Sequence, residues 1–86
     1  MNNEDIVITS AFRTPIGSFL GSLSDIKATE LGSLVIKKCL NHSKLNNDEV
    51  DMCFLGQVLQ AGCGQNPARQ AVIGAGIDKE KTATTI

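Results

Sequence analysis

Residues 52–77 read MCFLGQVLQAGCGQNPARQAVIGAGI, and the order of residue types in this stretch decides the fold class. Met52 to Leu59 is apolar with little alternation, the pattern of a strand covered on both faces. Gly62 and Gly64 then loosen the backbone before Asn66-Pro67 opens a helix. Asn serves as the cap, its side chain taking a backbone N–H, and Pro occupies the first helical position, where a missing N–H costs nothing. Ala68, Ala71, Val72 and Ala75 recur at helical spacing, small enough to let the helix lie close on a sheet, and Gly76 is placed to end it.

The flanks extend the same alternation. Ile77 to Lys81 is a charged turn, and Thr82-Ala83-Thr84-Thr85-Ile86 has strand character. Upstream, a helix is predicted over roughly Thr29 to Lys44, with Ala28, Leu31, Val35 and Cys39 aligned on one face and Ile36 beside them. Glu30, Ser33, Lys37, Asn41 and Lys44 form the polar face, and Asn46-Asn47 supplies the stop. Ile6 to Phe12 is a β-branched run closed by Arg13-Thr14-Pro15 and reads as a first strand. The Gly- and Ser-rich stretch from Ile16 to Ser24 carries Phe19, Leu20 and Leu23, and is expected to pack down as a loop.

Strand, helix, strand, helix, strand predicts an α/β chain whose sheet is mostly parallel, joined by right-handed crossovers. Three strands and two helices cannot cover both faces and both edges of such a sheet. Residues 1–86 are therefore expected to form one incomplete βαβαβ unit, a fragment of a larger domain.

Composition narrows the function classes. The 86 residues carry eight Lys and Arg against nine Asp and Glu, scattered without a basic stripe, and no Tyr or Trp. That argues against a nucleic-acid partner. The apolar runs are too short to cross a bilayer, and the acidic start, Met1-Asn2-Asn3-Glu4-Asp5, does not look like a leader, so a cytosolic protein off the membrane is expected. Cys39, Cys53 and Cys63 are odd in number with no CxxC pair, so free thiols are expected and no metal site.

Few residues suggest chemistry on their own. The Gly62-Cys63-Gly64-Gln65-Asn66-Pro67 turn sits where a phosphate cradle would be, but Pro67 replaces the third fingerprint glycine and no Walker Lys-Ser/Thr pair follows. Cys63 could be a thiolate stabilised by a helix start, yet it lacks an evident base, and a small packing residue explains it better. His42, the single histidine, falls at the edge of the apolar arc near the helix end. Cys39 and Cys53 occupy core-like positions, where cysteine acts as a small hydrophobe. Arg13 and Arg69 are the cations least readily dismissed as solvated surface, each able to pair at a subunit contact.

Three segments in order, IVITSAFRTPIGSFLGSL, then ATELGSLVIKKCL, then GQVLQAGCGQNPARQAVIGAGI, resemble the N-terminal region of thiolases. The likeness covers nearly the whole chain, and GQNPARQ after GQVLQAG is most similar to the acetoacetyl-CoA type. The resemblance implies a parent acyltransferase that moves an acyl group between coenzyme A thioesters, condensing two acetyl-CoA to acetoacetyl-CoA or cleaving it in reverse. A 3-ketoacyl-CoA thiolase of fatty acid β-oxidation, or a non-catalytic nucleotide-binding or interaction module, is the alternative. It also implies a homodimer or homotetramer, no bound cofactor, and a nucleophilic cysteine in an NKVCGSG-like segment beyond Ile86, so that none of the present residues is catalytic. Gln65, Asn66 and Arg69 are the positions it places near a subunit interface or the wall of the active-site cavity, and Arg13, directly after the first predicted strand, joins them as an interface or cavity-wall candidate on its own position.

Overall fold

A computed structural model describes residues 4–86. Its regular elements are α1 (Ala28–Ser43), a 3₁₀ turn at Asn47–Glu49, β1 (Met52–Leu55), α2 (Pro67–Gly74) and β2 (Thr82–Thr85). The two strands pair in parallel, Met52 opposite Thr82 through Leu55 opposite Thr85. Two further bonds carry the ladder past the strand ends, Ile86 N–H to the Leu55 carbonyl at 2.9 Å and Gln57 N–H to the Ile86 carbonyl at 2.8 Å. The α/β class and parallel pairing are as the residue pattern predicts.

α2 lies on one face of this ribbon and α1 lies on α2. Ala68, Ala71, Val72 and Ala75 are buried, Ala68 completely, as their spacing requires. The end of α2 is built around Gly76, whose φ of 88° lies in the left-handed region that a Cβ disfavours. Gly76 N–H reaches the Ile73 carbonyl and Ile77 N–H the Val72 carbonyl, both at 3.0 Å, which is the Schellman pattern. That turn swings Ile77 back onto Val72, and the two join Leu40 as the core, with Ile36, Val50, Cys53 and Ala83 packed around it. Ile77 thus belongs to the core rather than to a charged turn.

Four expectations are corrected. No strand forms over Ile6–Phe12, where Ile6 is 100% and Ile8 90% exposed. Instead the segment runs along the last turns of α1: Ser10 Oγ donates to the Cys39 carbonyl at 3.2 Å, and the Ser43 hydroxyl shares hydrogen bonds with the hydroxyls of Thr9 at 2.9 Å and Ser10 at 3.0 Å. β-branched composition favours extended backbone, but a strand also needs a ladder partner. The following loop does not pack down either, since Ile16, Phe19 and Leu20 are 87%, 94% and 79% exposed and of its large apolar side chains Leu23 alone is partly covered.

The second strand is four residues long rather than eight, and Val58 and Leu59 lie in an exposed loop. Its burial alternates: Cys53 and Leu55 turn toward α2 while Met52 and Phe54 face outward, because among the described residues the helices cover one face only. Finally, α1 keeps most of its predicted faces, with Leu31, Val35, Ile36 and Cys39 half-buried and Glu30, Lys37, Asn41 and Lys44 exposed, but the buried stripe is shifted toward Gly32, Ser33 and Leu40. Leu40 is its buried residue and Ala28 is exposed. Gly32 abuts α2 so closely that a Cβ on it would sit 3.2 Å from Ala71 Cβ, and Ser33, assigned to the polar face, donates at 2.7 Å to the Ala71 carbonyl. Small residues at the crossing permit this approach and outweigh the larger stripe. The helix also stops before Asn46: Lys44 takes the left-handed position with φ 58°, and Leu45 N–H returns to the Leu40 carbonyl at 3.0 Å.

Candidate functional site

The residues singled out by sequence fall in two places. Gln65, Asn66 and Arg69 surround the start of α2 at the carboxyl end of the parallel strands, where open α/β sheets place their ligands. Arg13 lies elsewhere, exposed, with Nη1 donating to the Thr14 carbonyl at 3.0 Å. It borders an apolar groove formed with Phe12, Leu34, Val35 and Lys38. His42 packs edge-on against Phe12, ring centroids 5.2 Å apart, and Lys38 Nζ stands 5.4 Å from the same ring. His42 therefore belongs to that aromatic contact and not to any cysteine.

The start of α2 is a closed hydrogen-bond system. Asn66 holds a left-handed conformation, φ 42° and ψ 77°, unusual for a helix cap and costly for a residue with a Cβ. Its side chain meets that cost with three bonds. Oδ1 accepts from Arg69 N–H at 3.2 Å and from the Thr85 hydroxyl at 2.7 Å, and Nδ2 donates to the Ala83 carbonyl at 3.2 Å. Thr85 Oγ1 in turn accepts from Ala68 N–H at 3.0 Å, and Gln70 N–H reaches the Asn66 carbonyl at 3.2 Å. Pro67 has no N–H to offer, so the first-turn donors of α2 are all taken by protein groups.

That arrangement decides the phosphate question. An anion at a helix start needs free N–H groups, and these are engaged. The preceding glycine turn is filled at its Gly64 end: Gln70 Nε2 donates to the carbonyls of Cys63 at 2.7 Å and Gln65 at 2.9 Å, and a Cβ on Gly64 would lie 2.9 Å from that nitrogen. The turn is plugged on the side of Gly64 and open at Gly62, which borders a pocket of roughly 360 Å³ shared with Lys27, Ala28 and Thr29. Gln57 and Gln70 do the plugging, and neither carries a sequence signal beyond being polar near glycines.

Cys63 is partly buried in this loop, with Gln57 Nε2 donating to Sγ at 3.1 Å. Its neighbours are amides and carbonyls, and no base contacts it, which leaves it the packing role expected. Cys53 lies under α2, where burial pushes its thiol above the ordinary value of 9.0. A thiol held neutral in this way is a poor nucleophile. Arg69 reaches back instead of outward: Nη1 donates to the carbonyls of Lys79 at 2.7 Å and Lys81 at 3.2 Å, pinning the turn that leads into β2. Beside the Asn66 system, Thr29, Gly32, Leu55, Gly56, Gln57, Pro67 and Thr85 line a half-open cavity of roughly 170 Å³ at the strands' carboxyl edge.

The "Thiolase, N-terminal domain" family model matches residues 6–86 of this chain. The chain belongs to the thiolase family. Among named thiolase relatives, the mitochondrial acetyl-CoA acetyltransferase of Xenopus tropicalis is 52% identical over 83 residues, which are 96% of this chain and 20% of that protein. The human mitochondrial acetyl-CoA acetyltransferase is 51% identical over 83 residues, 96% of this chain and 19% of its own length. The acetyl-CoA acetyltransferase of Pseudomonas aeruginosa is 52% identical over 83 residues, covering 96% and 21%. The chain thus spans about a fifth of the length of these thiolases.

In three dimensions the chain is similar to the Acat5 thiolase of Ascaris suum, crystallised in complex with coenzyme A. The TM-score is 0.84 at 40% identity, over 86% of this chain and 19% of the other. The thiolase fold expected from the ordered motifs is therefore the fold present. One expectation fails: the cytosolic reading is overturned by vertebrate relatives whose names place them in mitochondria. Compartment is set by address segments that need make no contact with the fold, so the composition of a folded unit carries no record of it.

Proposed function

We propose that residues 1–86 are the opening part of an acetyl-CoA acetyltransferase domain, supplying scaffold to a site that transfers acyl groups between coenzyme A thioesters. The observation that carries this reading is the identity of 51–52% across 96% of the chain with proteins bearing that name. The likeness to a thiolase crystallised with coenzyme A supports the substrate class. The reaction joins two acetyl-CoA to acetoacetyl-CoA, or cleaves it with free coenzyme A. The names of the vertebrate relatives support a mitochondrial setting.

The chemistry requires a thiolate to hold the acyl group, a base to remove an α-proton, and fixed donors for the enolate and tetrahedral oxyanion. In this reading the described residues supply none of these groups. They supply a rigid carboxyl edge on which a site can be held, and rigidity there is what converts binding into rate. We further propose a homodimeric or homotetrameric enzyme in which Arg13, Gln65, Asn66 and Arg69 lie near the subunit contact or cavity wall. Arg13 and Gln65 present exposed side chains outward, while Asn66 and Arg69 act through their internal bonds.

The test is thiolysis. The complete polypeptide carrying this segment should consume acetoacetyl-CoA in a coenzyme A-dependent manner, and residues 1–86 alone should not. Cleavage by the isolated segment would overturn the scaffold assignment, and a complete polypeptide inert toward acetoacetyl-CoA would overturn the acyltransferase assignment.

A further inference from the structure

The Thr85 hydroxyl bonds to the Asn66 side chain and, with the bonds from Asn66 Nδ2 to the Ala83 carbonyl and from Ala68 N–H to Thr85 Oγ1, ties the start of α2 to β2. Asn66 sits in the left-handed backbone region, which asparagine enters more readily than other side-chain-bearing residues but which is unusual at a helix cap, and its amide is bonded on both ends. Thr85 is used twice, donating its hydroxyl proton to Asn66 Oδ1 at 2.7 Å and accepting from Ala68 N–H at 3.0 Å. An ordinary cap would need only the bond to Arg69 N–H. The additional bonds to Ala83 and Thr85 lock the helix start to the strand at the carboxyl edge of the sheet. Strain retained under several converging bonds is a mark of positions where geometry matters for function.

Resting on the acyltransferase reading above, we infer that Asn66 and Thr85 are positioning residues for acyl transfer: their hydroxyl–amide lock sets where β2 ends beside the carboxyl-edge cavity. Neither touches a reacting atom. Both act by holding the backbone around Ile86, whose N–H and carbonyl complete the ladder to Leu55 and Gln57. Because both side chains are spent on internal bonds, a shift of that backbone by a fraction of an ångström costs alignment of the groups it holds and removes no side-chain contact to the substrate. The signature is a fall in kcat with KM preserved.

The experiment is steady-state thiolysis of acetoacetyl-CoA by the complete enzyme and its Thr85→Val, Thr85→Ser, Asn66→Ala and Asn66→Asp variants, with melting temperature measured alongside. Thr85→Val keeps shape and removes the hydroxyl, and is expected to lower kcat about tenfold with KM within about twofold. Thr85→Ser restores the hydroxyl and should return kcat to within about twofold of the parent. Asn66→Ala should fall at least as far as Thr85→Val. Asn66→Asp keeps the acceptor for Thr85 and should lie between it and the parent. An active parent whose Thr85→Val variant keeps its kcat overturns the inference alone, as does a loss that tracks melting temperature and is not recovered by Thr85→Ser. A parent without thiolysis overturns the acyltransferase reading and this inference with it.

Discussion

Residues 66–77 and residues 6–20 are both rich in apolar side chains, and they meet opposite fates. In the first stretch Ala68, Ala71, Val72, Ala75 and Ile77 are buried, and the polar groups around them are bonded. In the second, Ile6, Ile8, Ile16, Phe19 and Leu20 stand largely in solvent, and the backbone is extended or turned without a ladder. The contrast lies in what each stretch can satisfy locally. A capped helix closes its own backbone bonds and needs only a surface for one stripe. A strand closes none of its bonds alone and depends wholly on a neighbour.

The sharpest way to break this contrast is to put the same charge in both regions. Val72→Asp would bury an unpaired carboxylate in the core formed with Leu40 and Ile77, and should cost more than about 4 kcal/mol. Loss of the helical circular dichroism signal at ambient temperature is the expected readout, and a cooperative urea transition near the parent's midpoint would contradict it.

Packing at the helix crossing comes next in size. Ala71 is almost wholly buried and faces Gly32 across a gap that a methyl already fills. Ala71→Leu should therefore destabilise by about 1–3 kcal/mol, read as a lower urea midpoint with an unchanged slope. Gly74 is constrained likewise, since a Cβ there would run into Ser33 Oγ.

Gly76→Ala isolates the backbone term. The φ of 88° and an Asn47 nitrogen 3.0 Å from the position of an added Cβ both oppose it. A loss of about 1–2 kcal/mol is expected. An unchanged melting temperature would mean that the Schellman turn tolerates a side chain. At the small end, Ile8→Asp should shift stability by less than about 0.5 kcal/mol, because Ile8 is already in solvent. A large loss there would show that residues 6–12 carry apolar packing that their exposure does not register.

How far the residue order could be read follows the same division. The start and stop of α2 were legible because Asn66, Pro67 and Gly76 each carry a conformational preference that acts within a few residues. The shift of the buried stripe on α1 was not, because Gly32 and Ser33 look unremarkable until α2 arrives at the distance their small size permits. At the site, the residue pattern points to Asn66 and Arg69 but not to their partners. Thr85 is one threonine in a TATT run, and Gln57 and Gln70 are amides without a spacing signal.

By itself, then, the sequence determined the α/β class, the parallel pairing implied by strand, helix and strand in succession, the cap and the terminator of α2, and membership of the thiolase family through three motifs in order. Each of these rests on local chemistry or on residue identity. Only the tertiary structure decided where the buried stripe of α1 is centred, that the stretch from Ile6 to Phe12 lies along a helix, that the glycine turn is plugged at Gly64 by Gln70, and that Asn66 locks onto Thr85. For α1 the periodicity marks Leu31, Val35, Ile36 and Cys39 as inward, and the shift toward Gly32, Ser33 and Leu40, like the other outcomes, depends on groups distant in the chain meeting at ångström precision.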